Sequence, residues 1–166
     1  MNLQKFKQCV DNISQSDLDQ LRSIITDADH IILLGNGGSN AVTLHIAQDY
    51  TKVLGKQALS FGDTSRMSCY ANDFGWDHAY ARFLEHFAGS KTLVILISSS
   101  GNSQNILNSA DYCQQHGLPM ITLSGFDRDN KLRTEYADKS LLHFWVDSND
   151  YGIVECCHEL ILHSVI

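Results

Sequence analysis

Five short apolar runs punctuate the chain, at residues 30–34, 58–61, 92–97, 120–124 and 141–146. They are continuous rather than alternating, the pattern of strands buried on both faces of a parallel sheet. Between them lie segments whose apolar positions recur every three or four residues, predicting helices over 2–26, 39–54, 77–88, 103–115 and 150–166, with a short piece near 130–137. Asp150 stands where an N-cap belongs, and His116-Gly117 where a helix stops. Strand and helix alternate along the whole length. The expected fold is therefore α/β, a single doubly wound five-stranded parallel sheet with long N- and C-terminal helices. No repeat, low-complexity tract or linker interrupts residues 1–166, so one domain is expected. In such sheets ligands bind beyond the carboxyl ends of the strands, where loops lead into helix N-termini.

Composition narrows the partners. Hydrophobic residues make up 43% and charged residues 19%, a globular balance. A net charge of −7 speaks against a nucleic-acid surface, which needs clustered Lys and Arg. Met1 leads into a polar, mixed-charge stretch with no apolar core, so no signal peptide is expected. The longest apolar run, 92–97, is far too short to span a bilayer. The five cysteines (Cys9, Cys69, Cys113, Cys156, Cys157) are scattered, odd in number and without a Cys-x-x-Cys pair, which fits reduced thiols. A cytoplasmic protein is expected, with neither nucleic acid nor membrane as partner.

Two loops carry chemistry. Gly35-Asn36-Gly37-Gly38-Ser39 and Ser98-Ser99-Ser100-Gly101-Asn102-Ser103 each follow a predicted strand and precede a predicted helix. A helix N-terminus offers unpaired N–H groups and a partial positive charge to an anion. Gly37 and Gly38 let backbone approach a ligand closely, Asn36 and Ser39 add side-chain hydrogen bonds, and the second loop supplies four hydroxyls. Neither loop contains Lys or Arg, so a phosphate would be held by neutral donors. Asn40 stands where the third glycine of a dinucleotide fingerprint belongs, and the Gly-Lys-Ser/Thr ending of a P-loop is missing. Tight strand–helix turns also favour Gly and Ser, but two such loops at equivalent positions point to a phosphate site.

His45 and Asp49 are four apart on one predicted helix and share a face, a spacing suited to a metal or to an acid–base pair. The last helix carries Glu155, His158, Glu159 and His163 at helical spacings. His78, His86, His116 and His143 read as solvated or capped side chains.

Taken together, the two loops, His45, Ala71-Asn72-Asp73-Phe74-Gly75, Leu123-Ser124-Gly125 and His158…His163 resemble the sugar isomerase (SIS) domain family, in its phosphoheptose isomerase branch. The likeness runs from about residue 30 to the C-terminus. It implies a homotetramer with active sites shared between subunits. The implied reaction converts a ketose phosphate to an aldose phosphate, sedoheptulose 7-phosphate to heptose 7-phosphate, in heptose synthesis for lipopolysaccharide or capsule. Carried over position by position, it implies that Asn36, Gly37, Gly38, Ser39, Asn72, Asp73, Ser98, Ser99, Ser100, Ser103 and Glu155 contact substrate. It implies His45, Asp49, Glu155 and His163 as ligands of a divalent metal, Zn2+, with Asp49 and His163 also as catalytic carboxylate and histidine.

The chain departs from that pattern. Asp49 and Glu155 stand where the family has glutamate and glutamine, and Ile153 and Cys156 where it has arginine and glutamate. Isomerisation through a cis-enediol needs a base, an acid and stabilisation of an oxyanion, and Asp49 with His163 would suffice. Eight helical positions separate Glu155 from His163, about 12 Å along the axis. Both could ligate one ion only if the helix began after Glu155, or if the two came from different subunits. The alternative to an isomerase is a non-catalytic SIS domain that senses a sugar phosphate or binds a protein partner.

Overall fold

The structure is a computed structural model that describes all 166 residues. Helices α1 (Leu3–Asp11) and α2 (Gln15–Asp27) lead into β1 (His30–Gly35), α3 (Gly38–Leu54) and β2 (Gln57–Ser60). Then follow α4 (Thr64–Phe74), α5 (Trp76–Phe87), β3 (Leu93–Ser98), α6 (Gln104–His116), β4 (Met120–Ser124), α7 (Lys131–Tyr136), β5 (Leu142–Trp145) and α8 (Tyr151–His163). The five strands form one sheet in the order β2-β1-β3-β4-β5, every pair parallel. This is the doubly wound sheet that the continuous apolar runs predict. The chain crosses to one side of β1 to make β2 and to the other to make β3, which sets the topological switch point between β1 and β3.

Alternate strand residues serve opposite faces. Ile31, Leu33, Ile95 and Ile97 pack with Leu21 and Ile25 of α2, Ile46 and Tyr50 of α3 and Leu162 of α8. Ile32, Leu34, Val94 and Leu96 pack with Tyr80 and Phe83 of α5 and with Ile106 and Ala110 of α6. Every residue of β3 and β4 is buried, as a doubly covered strand requires, whereas β2 at the edge is half exposed. Tyr50 donates from its hydroxyl to the Leu162 carbonyl at 2.9 Å, both buried, tying α3 to α8. No helix is long and apolar enough to cross a membrane.

Two parts of the helix pattern differ from expectation. The predicted N-terminal helix is two helices: Asn12 closes α1, and the Ser14 hydroxyl accepts from Asp17 N–H to open α2. Asn and Ser side chains compete for backbone groups, so a helix-period pattern breaks there. Helix α4 lies in a stretch for which the pattern predicts no helix; Asp63 caps it by accepting from Arg66 N–H at 2.7 Å. The predicted caps at Asp150 and Gly117 are present, Gly117 in the left-handed conformation at φ 65°. Helix α8 starts at Tyr151, so Glu155 lies inside a regular helix with His163, and a start after Glu155 is ruled out.

Candidate active site

The loops after β1 and β3 flank the switch point. Gly37 takes a left-handed φ of 54°, turning the chain from strand into α3, a conformation that glycine adopts without strain. The Tyr80 hydroxyl, buried under the loop, donates to the Gly35 carbonyl at 2.5 Å. In the second loop Gly101 is left-handed at φ 65°, and its N–H donates to Ser98 Oγ at 3.1 Å; Ser98 Oγ also lies 3.1 Å from Ser103 Oγ. The loops meet where Ser39 Oγ comes within 3.5 Å of Ser99 Oγ. Asn36 and the buried Asn105 of α6 exchange two hydrogen bonds, each 2.9 Å.

Between the loops is a cavity of about 130 Å³, lined by Asn36, Ser39, Ser98, Ser99, Ser100 and Ser103, and closed from α8 by Tyr151 and Glu155. Its donors are hydroxyls, an amide and two helix N-termini, and no Lys or Arg lines it. The Glu155 carboxylate lies against the Cα of Gly38, where any Cβ would collide with it. Burial raises the Glu155 pKa, because a carboxylate removed from water without a cation favours its neutral form. A larger cavity, about 230 Å³, lies between β5 and the α1–α2 junction; it contains Trp145 and His143 and none of the loop residues.

Farther along α3 and α8 is a second constellation. His45 Nε2 lies 3.0 Å and His163 Nε2 3.3 Å from the same Asp49 oxygen, Oδ2. The two rings meet edge to face with centroids 5.0 Å apart, and Glu159 stands 3.6 Å from His45 Nδ1. One ligand atom from each of His45, Asp49 and His163 falls within a span of 4.8 Å. His163 donates through Nδ1–H to the Glu159 carbonyl at 3.1 Å, so in the neutral ring Nε2 carries a lone pair facing a carboxylate. Two electron-rich atoms so placed need a proton or a cation between them. Imidazole and carboxylate donors of this kind suit a divalent ion such as zinc, and the donated Nδ1–H is the usual outer support of a metal-binding histidine.

The structure therefore sorts the expected residues. Asn36, Ser39, Ser98, Ser99, Ser100 and Ser103 share one cavity, with Gly37 and Gly38 in its wall-forming loop. His45, Asp49 and His163 share the second group. Glu155 is not with them within the chain; it faces the serine cavity, one turn before Glu159 and two before His163. Asn72 and Asp73 sit exposed on the last turn of α4, bonded to each other at 2.8 Å and outside the cavity. His158 is fully buried and donates from Nε2 to the Ser124 carbonyl, with its pKa pushed down to about 4 by burial. It braces α8 against β4. His143 is not a solvated side chain either: it bonds Thr122 Oγ1 at 2.7 Å, and burial lowers its pKa to about 4. Tyr151 at the cavity and Asn105 behind Asn36 are not among the expected residues. Tyr151 is a large exposed residue one turn before Glu155, which its spacing could have suggested, whereas nothing local marks Asn105 as the partner of Asn36.

No family model matches the chain. Among curated relatives, a phosphoheptose isomerase from Histophilus somni is 34% identical over 102 residues, covering 58% of this chain and 52% of that protein. One from Fusobacterium nucleatum is 29% identical over 154 residues, covering 89% of this chain and 76% of that protein. The match spans about half the length of the first of these relatives. Among solved structures, a phosphoheptose isomerase from Neisseria gonorrhoeae superposes with a TM-score of 0.85 at 24% identity, over 96% of this chain and 88% of that one. One from Francisella tularensis superposes with a TM-score of 0.83 at 19% identity, with the same coverage. The Vibrio vulnificus NanR protein complexed with ManNAc-6P gives a TM-score of 0.70 at 17% identity, over 98% of this chain and 56% of that one.

Proposed function

We propose that this chain, which resembles the SIS-domain phosphoheptose isomerases in sequence and fold, is a cytoplasmic aldose–ketose isomerase of sugar phosphates. Sedoheptulose 7-phosphate is the first substrate to test, and heptose supply for surface polysaccharide the corresponding role. The observation that carries the reading is the pairing of a hydroxyl-rich, helix-capped cavity with a separate His45–Asp49–His163 group. The first suits a phosphate; the second suits carbonyl chemistry.

In this reading the serine loops and the N-termini of α3 and α6 hold the phosphate as a fixed handle. Orientation is then set before chemistry begins, which reduces the entropic part of the barrier. Asp49 takes the proton from the carbon beside the carbonyl and returns one to the neighbouring carbon; His163, whose Nδ1–H is committed to the Glu159 carbonyl, carries a proton between the two oxygens only through Nε2, and so only while that nitrogen holds no ion. His45, Asp49 and His163 would hold a divalent ion, which we take to be Zn2+; when bound it would polarise the carbonyl and stabilise the enediolate. Water exclusion falls to Tyr151 and to whatever covers the exposed side of His45.

Two expected groups, Asn72-Asp73 and Glu155, stand apart from the His–Asp group within one chain, which supports a homotetramer with sites shared between subunits. Under that arrangement Glu155 of one subunit would complete the metal group of another. A second reading, a non-catalytic sensor of a sugar phosphate, draws support from the likeness to the ManNAc-6P complex.

One experiment separates the two. The protein, with and without EDTA, is incubated in deuterium oxide with a panel of ketose and aldose phosphates, and exchange of the carbon-bound proton is followed by NMR. Metal-dependent exchange with at least one sugar is expected. Binding without exchange for every sugar would leave the sensor.

A further inference from the structure

Besides the Ser39–Ser99 approach, the first phosphate loop is tied to the helix after the second by Asn105, a residue that neither loop motif contains. Asn105, 2% exposed in the first turn of α6, faces Asn36 of the other loop, 69 positions away. Asn36 Nδ2 donates to Asn105 Oδ1, and Asn105 Nδ2 donates to Asn36 Oδ1, both at 2.9 Å. A closed amide pair is unchanged if both amides are flipped, so by itself it leaves their polarity open. A third contact removes that freedom. The Ile106 backbone N–H points at Asn105 Oδ1 at 3.0 Å, and only an oxygen can accept it. The oxygen of Asn105 is thereby fixed, and with it the edge on which Asn36 carries its NH2. The pair takes one lone pair of the Asn36 carbonyl and one hydrogen of its NH2, and the NH2 edge keeps its second hydrogen uncommitted. Asn36 lines the cavity, and on its fixed NH2 edge it has a donor to offer a ligand.

We propose that Asn105 is a positioning residue for the phosphate site: it locks the polarity of Asn36 so that the loop presents an N–H, never a carbonyl, to the ligand. The proposal rests on the reading of this cavity as a phosphate site. It accounts for how a pocket without Lys or Arg can still reject ligands that are themselves donors. A phosphate has only acceptor oxygens when fully ionised, and a carbonyl turned toward it would repel it. The pair also holds the β1 loop against the helix that follows the β3 loop, so both halves of the site are set before the ligand arrives.

The probe is inorganic phosphate, titrated calorimetrically into the full chain. Asn105→Asp keeps the shape of the side chain but cannot donate to Asn36 Oδ1. It is expected to weaken phosphate binding at least tenfold. Ser109→Ala is the control: Ser109 Oγ donates to the Asn105 carbonyl at 2.7 Å in the same buried turn, outside the cavity. It should lower Tm while phosphate affinity stays within twofold. In an Asn36→Ala background, Asn105→Asp should have much less further effect, because Asn105 acts through Asn36. Equal phosphate affinity for wild type and Asn105→Asp, or full additivity of the two substitutions, overturns the proposal. Should Asn105→Asp fail to fold, the side-chain NH2 resonances of Asn36 in the wild type decide: phosphate must shift one of the two hydrogens far more than the other. A wild type that binds no phosphate at all overturns the cavity reading, and the role of Asn105 with it.

Discussion

His163 points its Nε2 atom at Oδ2 of Asp49 from 3.3 Å, although 114 residues separate them in the chain. With Nδ1–H committed to the Glu159 carbonyl, this contact holds only when a proton or a cation lies between. The His163–Asp49 pair is thus where α8 and α3 put acid, base and metal chemistry at one point.

Zinc binding is expected at about one ion per chain, read by metal content after dialysis and by competition with a chromophoric chelator. His163→Ala removes one of the three ligands that a single chain supplies and should weaken zinc by roughly 100-fold or more, since disturbing even an outer support costs about 10–100-fold. Proton exchange with the best sugar phosphate should fall about 10²–10⁴-fold in His163→Ala and in Asp49→Ala, the worth of one acid–base group. Undiminished exchange in either variant would remove the proposed chemistry.

Glu155→Gln keeps the size of the side chain and removes a negative charge from a cavity meant for an anion. Phosphate affinity should rise about 10-fold, because a charge this close to the ligand acts through partly excluded water. Burial already pushes the Glu155 pKa up, so the gap between wild type and variant should widen as pH rises and the carboxylate ionises. Calorimetric titration of phosphate at two pH values measures both effects. A variant that binds more weakly at every pH would mean that the carboxylate helps to hold the ligand.

Stability should fall on acidification, starting well above the carboxylate range. His158 and His143 have folded pKa values of about 4, against an ordinary value near 6.5. Between these values the unfolded chain binds more protons than the native one, so stability is full above about pH 6.5 and is lost as pH falls toward 4. Each pKa unit is worth about 1.4 kcal/mol, so His158 alone can withdraw roughly 3 kcal/mol. Urea midpoints at pH 7.5, 6.5 and 5.5 should decline in that order. A flat profile would show that neither histidine is held neutral.

Tyr50→Phe removes the buried hydroxyl that meets the Leu162 carbonyl and leaves that carbonyl without its partner. The cost should be about 1–3 kcal/mol of folding stability, the usual penalty for an orphaned buried polar group. Because α3 and α8 carry the His45–Asp49–His163 group, zinc affinity should drop along with Tm, in the same titrations.

Much of the architecture was legible in the residue pattern, and the reasons are local. An unbroken apolar run such as Ile31–Leu34 can be satisfied only between two helical layers, and Gly37 and Gly101 mark turns at strand ends because they take positive φ. Hence the strands, most helices and both loops follow from the residue pattern alone. Helix α4 escaped because its only clear start signal is a single Asp63 cap, and the break between α1 and α2 because Asn12 and Ser14 interrupt an otherwise continuous period. Neighbour-to-neighbour chemistry also set the His45–Asp49 spacing, since residues four apart share a helix face.

Tertiary structure alone decided which local pieces met. The strand order β2-β1-β3-β4-β5 brought the Gly and Ser loops to one switch point, and with them Asn36 to Asn105. The crossing of α3 with α8 delivered His163 to Asp49, while the pitch of α8 sent Glu155 toward the serine cavity instead. No period or spacing records these meetings. Each depends on which faces pack against the shared sheet, and that is set by the free energy of burying the whole core rather than by any one segment.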